Sequence, residues 1–311
     1  MNKEKFYTDK KNIVILAIIC CALWGSAYPA IKIGYELFNI APNDVPSKLI
    51  FAGYRFIIAG IIVLVFQMLE GKRVILARRK LVGQVILLGL MQTTFQYACF
   101  YIGLSNTTGI SGSIVNGTGT FFSIILAHFL YTNDKINLNK ILGCLIGFGG
   151  VVIVNLSGGN SLFESSFTFQ GEGLIMVSAF ALSLSSIYGK KISQSEDAAT
   201  LTGYQLAIGG LILAILGFIF GGTLNEISFK GIVLLIYMSI LSSVAFVIWS
   251  QLMKYNKVGT IAMFNFLIPV FGTLLSAIFL GENIFDIKIV ISLLMVSIGI
   301  FMVYKKSSSE T

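Results

Sequence analysis

The side chains that could do chemistry are few, and nearly all lie inside apolar runs. Arg55, in GYRFIIAG, sits about 10 Å inside the run that begins near Lys48, taking 1.5 Å per helical residue. A charge at that depth costs a few kcal/mol unless it meets water or a partner. Arg55 is therefore either an anchor for an anionic group such as a carboxylate, or a structural cation reaching outward or toward helix-end carbonyls. Trp24, Tyr28 and Lys32 recur at i, i+4 and i+8, one helix face. They form either a cavity wall with a hydroxyl, or packing and interfacial anchoring, the usual use of Trp and Tyr; for Lys32 snorkelling is favoured. Gln92, Gln96, Tyr97 and Tyr101 share another run. Amides are costly against lipid and must point into a bundle, to bond a neighbouring helix or to meet a solute.

Other chemistry lacks its components. His128 is the only histidine, and Glu172 and Glu282 stand only at run edges, so a carboxylate proton relay has no deep member. No nucleophile with a base and no pair of carboxylates gathers at one depth, as an intramembrane enzyme requires, and the chain is read as not an enzyme. No G-x-x-x-x-G-K-[ST] is present for ATP. Cys20, Cys21, Cys99 and Cys144 lie in apolar runs without metal-ligand spacing. No cofactor or metal is expected.

The solvent of these elements follows from composition. The chain is 56% hydrophobic and 12% charged with mean hydropathy +0.86, where soluble domains are roughly a quarter charged. It reads as a multi-pass membrane protein. Ten runs approach the roughly 20 residues a spanning helix needs: 13–34, 48–69, 82–104, 109–131, 140–157, 172–190, 201–220, 231–252, 259–280 and 286–304. Backbone groups in lipid must bond within the segment, so the fold class is all-α. The net charge of +8 is explained by basic residues at one side of the membrane, not by nucleic acid. Lys10, Lys11, Lys72, Arg73, Arg78–Lys80, Lys190, Lys191, Lys254, Lys257, Lys305 and Lys306 all fall on the side of both termini, which the positive-inside rule makes cytoplasmic.

The chain repeats itself. VNGTGTFFSIILAHFLYTN (Val115–Asn133) aligns with FNFLIPVFGTLLSAIFLGE (Phe264–Glu282) at a displacement of 149, putting Asn116 on Asn265 and Thr120 on Pro269. At 149, Tyr97 and Phe100 also fall on Phe246 and Trp249. GYRFIIAGIIVLV aligns with GYQLAIGGLILAI at 150, and ALWGSAYPAIK with ALSLSSIYGKK at 159. Five runs per copy force the second copy in from the opposite side. Inverted repeats of this kind mark secondary transporters, with substrate sites near the midplane between the halves. The expected units are 1–157 and 158–311.

These motifs in this order, ALWGSAYPAIK, GYRFIIAG, LTGYQLAIGG and IPVFGTLLSAIFLGE before a last apolar run, resemble the EamA family of the drug/metabolite transporter superfamily from about Ile13 to Tyr304. The resemblance implies an inner-membrane carrier, commonly an exporter of amino acids or related metabolites, with a central cavity between the halves. The chain departs from the family pattern at Ile268 before Pro269, at Gly119–Thr120 without proline, and at Asn133 where a glutamate is usual. Candidate solute contacts are Trp24, Tyr28, Arg55, Gln92, Gln96, Tyr97, Tyr101, Asn116, Trp249 and Asn265, with helix bends at Gly119 and Pro269. Partners are a small-molecule substrate and the bilayer, with no nucleic acid and no ATPase subunit; the oligomeric state stays open, with a monomer plausible. An uptake or facilitated-diffusion carrier, and a receptor or intramembrane enzyme, stay open as alternatives.

Overall fold

The structure is a computed structural model and describes residues 3–72, 74–76, 79–106, 115–155, 168–224, 228–280 and 287–307. The expectations at Arg73, Arg78 and Glu282, and for most of the loop after residue 157, lie outside them. Every regular element among the described residues is helical. A short α1 (Lys3–Thr8) leads into α2 (Lys10–Leu37), α3 (Val45–Leu69) and α4 (Arg79–Gly89), which continues through a π-helical turn (Leu90–Phe95) into α5 (Gln96–Ser105). Then come α6 (Thr118–Leu130) and α7 (Leu138–Asn155). A π turn (Phe169–Gly173) opens α8 (Leu174–Ser193), followed by α9 (Ala198–Ile219) and α10 (Phe229–Tyr255). Finally α11 (Val258–Ala262), a 3-10 turn (Met263–Phe266) and α12 (Leu267–Leu280) precede α13 (Ile287–Ser307).

Polar caps set the helix starts. Asp9, Asp44, Asp197 and Ser228 each accept from first-turn backbone N–H groups of α2, α3, α9 and α10, satisfying donors the helix leaves open. Thr168 accepts from Gly171 N while Glu172 accepts from Thr168 N, a reciprocal cap that occupies this buried carboxylate. Six segments are long and apolar enough to cross a membrane, Lys10–Leu37, Val45–Leu69, Arg79–Ser105, Phe169–Ser193, Ala198–Ile219 and Phe229–Tyr255, and shorter apolar helices cover 118–130, 138–153, 258–272 and 294–303. Phe66, Leu211, Phe218, Phe229 and Phe301 stand exposed on the outside, a surface suited to lipid and far too apolar for water.

Two expected helices are interrupted. The expected run 259–280 is split by the 3-10 turn Met263–Phe266, just ahead of Pro269. Proline has no N–H to donate to the carbonyl four residues back, which falls in that turn, at Asn265. The run 82–104 contains the π turn, whose wider winding carries Thr93 and Thr94 onto α9, where they bond Gln205 and Gly209. Gly119 stands in the first turn of α6, which starts at Thr118.

Glycines hold the pairs together. The broadest interface is α3 on α9. A Cβ on Gly60 would lie 2.5 Å from Ala207 N and 2.5 Å from Gly203 O, and one on Gly210 would lie 2.7 Å from Ile57 N, so the backbones approach as only small residues permit. On α7, Gly143 and Gly147 allow the same: a Cβ on Gly143 would meet Gly299 O of α13 at 2.7 Å. In addition α2 packs on α10 and α12, and α8 on α5 and α6.

Hydrogen bonds recur at the displacements of the sequence repeat. Arg55 Nε donates to Ser242 Oγ at 2.7 Å, and Thr93 Oγ1 donates to Gln205 Oε1 at 2.7 Å. Ser243 Oγ donates to Ala59 O at 3.0 Å, and Thr94 Oγ1 to Gly209 O at 3.0 Å. Under the alignment Arg55 falls on Gln205, Ala59 on Gly209, and Thr93–Thr94 on Ser242–Ser243.

Polar side chains outside these contacts take structural places. The four cysteines are buried free thiols. Lys32 is exposed, as snorkelling requires. His128 Nδ1 accepts from Ile136 N at 3.0 Å, an interfacial turn. Nearby, Asp134 and Lys140 form an ion pair at 2.5 Å with side chains 1% and 5% exposed, and Asp134 Oδ2 accepts from Gly259 N at 2.8 Å. The pair fastens the α6–α7 connection to the start of α11. Removing one member of a buried pair strands the other charge, at about 3–5 kcal/mol. Asp134→Ala is accordingly expected to lower the melting temperature of the purified protein sharply. The double variant Asp134→Leu/Lys140→Met, which strands no charge, is expected to recover most of the loss.

Candidate functional site

The structure gathers Arg55 with most of the aromatic candidates. Arg55 is 2% exposed although it lies roughly 15 Å along α3 from its start. It does not reach for the surface: besides Ser242, its guanidinium carbon stands 5.1 Å from the Phe56 ring centroid, a cation–π approach. Phe56 meets Tyr97 at 4.6 Å and Phe246 at 6.3 Å between centroids. Phe246 meets Trp24 at 5.4 Å, and Trp24 meets Trp249 edge-on at 5.1 Å. Tyr97 lies 6.1 Å from Tyr101. The site is a cluster of rings from α2, α3, α5 and α10, in contact with one another and, through Phe56, with one buried cation.

Each ring is placed by a local rule. Trp24 and Tyr28 share a face of α2, and Tyr28 lies against Gly272 of α12, where a Cβ would stand 3.1 Å from its ring. Tyr97 and Tyr101 are one turn apart on α5 and therefore face the same side. Phe56 and Arg55 are adjacent on α3 and both buried, as befits a helix enclosed by α9, α10 and α5.

Other candidates go elsewhere. Gln96 Nε2 donates to Ser178 Oγ of α8 at 3.0 Å in a buried interhelical bond, so its amide is spent on packing. Asn116 and Asn265 are each half-buried. The segment after Asn116 and the one before Asn265 touch where Thr120 Oγ1 of α6 donates to Ala262 O of α11 at 3.4 Å. Gly119 lies against Ala179 of α8, where a Cβ would sit at 3.5 Å, and Pro269 is buried in the first turn of α12. Gln92 and Trp249 line a separate, small and partly open cleft between α4, α8, α9 and α10, with Ser186, Lys190, Gln205 and Ser250. Trp249 thus lines that cleft and also touches Trp24 of the ring cluster. Phe56, Ser242 and Gln205 were not singled out by sequence, although the repeat alignment that equates Arg55 with Gln205 marks the last of them.

This arrangement offers one cation, several hydroxyls and apolar walls, a balance suited to binding and orienting a small solute. Among the described residues no group of three or more His, Cys, Asp or Glu could hold a metal.

A profile of the EamA-like transporter family matches residues 11–156 and again 169–305. An uncharacterized transporter of Archaeoglobus fulgidus is 27% identical over 285 residues, 88% of this chain and 91% of that protein. The uncharacterized transporter YvbV of Bacillus subtilis is 25% identical over 97% of this chain and 94% of its own. A probable amino-acid metabolite efflux pump of Salmonella typhimurium is 23% identical over 86% and 87%. A crystal structure with 16% sequence identity superposes with a TM-score of 0.77 over 97% of this chain and 99% of that one, a likeness of fold. With the family profile spanning nearly the whole chain in two copies, over the helices that build the ring cluster, the chain belongs to the EamA-like transporter family.

Proposed function

We propose that this protein is a secondary exporter of small polar metabolites, such as amino acids or related compounds, working by alternating access. The observation that carries the reading is the Arg55 cluster: one buried cation against Phe56, joined through that ring to Tyr97, Tyr101, Phe246 and Trp24. The rings suit an apolar body and the guanidinium suits a carboxylate. Ten membrane spans in two inverted five-helix halves, 1–157 and 158–311, complete the proposal. Its support is the profile matched twice and the hydrogen bonds repeated at the displacement of the sequence repeat. Rocking of the halves would expose the site to each side in turn, with the interrupted helix ahead of Pro269 as a gate. Both termini lie in the cytoplasm, the side of the basic clusters, and the membrane is the cell's plasma or inner membrane. The Salmonella relative's printed role as an amino-acid metabolite efflux pump favours export.

The test is a metabolite profile of cells and medium with and without the protein, followed by efflux of the enriched compounds from proteoliposomes. A metabolite chemically altered instead of relocated sinks the reading. Within it, Trp24→Ala removes the ring that touches both Phe246 and Trp249. A solute stacked on that ring would lose an aromatic contact worth about 0.5–1.5 kcal/mol, so its affinity is expected to fall by up to about tenfold, with membrane abundance nearly kept. Unchanged flux removes Trp24 from the path.

A further inference from the structure

The cleft between α4, α8, α9 and α10 contains a cation and an amide that the ring cluster does not use. Lys190, in the last turn of α8, donates from Nζ to the backbone carbonyl of Asn256, and its Nζ stands 5.4 Å from the Tyr131 ring centroid. Both partners are neutral. The ion pairs among the described residues are Lys72–Glu70 and Lys140–Asp134. Asp134, whose charge reaches Lys190, is itself held by Lys140 and by Gly259 N. Lys190, which lines the cleft, therefore has no carboxylate bonded to it among the described residues.

Gln205 is the second feature. It is 2% exposed, lines the same cleft, and has its Oε1 taken by Thr93 Oγ1. Its Nε2, a donor of two hydrogens, has no hydrogen bond among the described residues. A buried amide donor left open costs about 1–3 kcal/mol, a cost that an acceptor brought by a solute would remove. Ser186, one turn before Lys190 on the same face of α8, and Ser250 of α10 also line this wall, their hydroxyls donating to Leu182 O and Phe246 O.

We propose that this cleft is a binding site for a small solute bearing a carboxylate, with Lys190 as ion partner of the carboxylate and Gln205 as donor to a second acceptor. Trp249 lines the cleft and touches Trp24 of the ring cluster, so the site adjoins that cluster. As the cytoplasmic approach to Arg55 the site rests on the transport reading; as a binding site it does not require flux.

The experiment uses the full chain in phosphatidylcholine nanodiscs, which carry no net-anionic headgroup, with Ser186→Cys as a reporter and the unsubstituted protein as the baseline for the four buried native thiols. Labelling rates are compared for an anionic sulfonatoethyl and a cationic trimethylammonioethyl methanethiosulfonate. A nearby unpaired cation is expected to favour the anionic reagent by about tenfold. Adding Lys190→Gln should abolish that preference, whereas Lys191→Gln, at an exposed neighbour on the same helix, should leave it. Propionate should slow labelling, propionamide should not, and Lys190→Gln should remove the protection. Equal rates for the two reagents, a preference that survives Lys190→Gln, or no protection by propionate overturns the carboxylate site. Absence of labelling by either reagent overturns access of solutes to the cleft. If the preference and protection appear while proteoliposome efflux does not, the binding site stands and the export reading falls.

Discussion

Gly60→Leu is expected to leave little folded protein in the membrane, with abundance and detergent-extracted monodisperse material both down by more than about tenfold. A Cβ at this position would lie 2.5 Å from Ala207 N, 2.5 Å from Gly203 O and 2.7 Å from Ala207 Cβ. Two of those atoms are backbone and cannot rotate aside. Inserting bulk into a packed interface costs about 1–3 kcal/mol when side chains can yield, and here α3 and α9 must separate along their whole contact. Membrane helices associate through such close packing, without a hydrophobic force to replace it. Gly83→Leu is the matched control: nothing lies within 4 Å of a Cβ there, and leucine favours a helix over glycine by about 0.8–1 kcal/mol. It should express like the parent. Equal abundance of both variants would contradict the glycine-mediated α3–α9 contact.

Arg55→Gln should preserve the fold and remove transport of carboxylate-bearing solutes. The protein itself supplies the precedent for a glutamine here. Gln205 holds the place equated with Arg55 by the repeat, and accepts from Thr93 at 2.7 Å where Arg55 donates to Ser242 at 2.7 Å. Ser242 already donates to Met238 O, so a glutamine at 55 would offer it the Nε2 donor while the cation is deleted. A charge-assisted hydrogen bond is worth about 1.5–3 kcal/mol, so affinity for a carboxylate should drop by about ten- to hundredfold, and a neutral amide analogue should be far less affected. Arg55→Lys retains charge but not the planar fork, and should fall between. A protein that loses thermal stability without any selectivity between acid and amide would instead assign Arg55 to the scaffold.

Composition alone decides that this chain lives in a membrane, because a surface with exposed Phe66, Phe229 and Phe301 follows from having too few charged residues to cover it. The helices also follow, since lipid leaves the backbone no other partner. The repeat was equally legible: displacements of 149 and 150 depend on residue identity along the chain, and they reappear as paired hydrogen bonds. Arg55 could be singled out because a deep charge is costly wherever its helix packs. What each side chain meets could not be read this way, because it depends on helix rotation and on atoms far away in sequence. One extra residue in the π turn Leu90–Phe95 carries Thr93 and Thr94 onto α9. Gln96, for which the sequence left both a neighbouring helix and a solute open, bonds Ser178 of α8. Among the basic residues at the helix ends, periodicity treats Lys140 and Lys190 alike as topological charge. Only the tertiary structure separates them, burying Lys140 against Asp134 and leaving Lys190 at the cleft with a carbonyl and a ring, because the positions of Asp134, Tyr131 and Asn256 are set by how three helix ends converge.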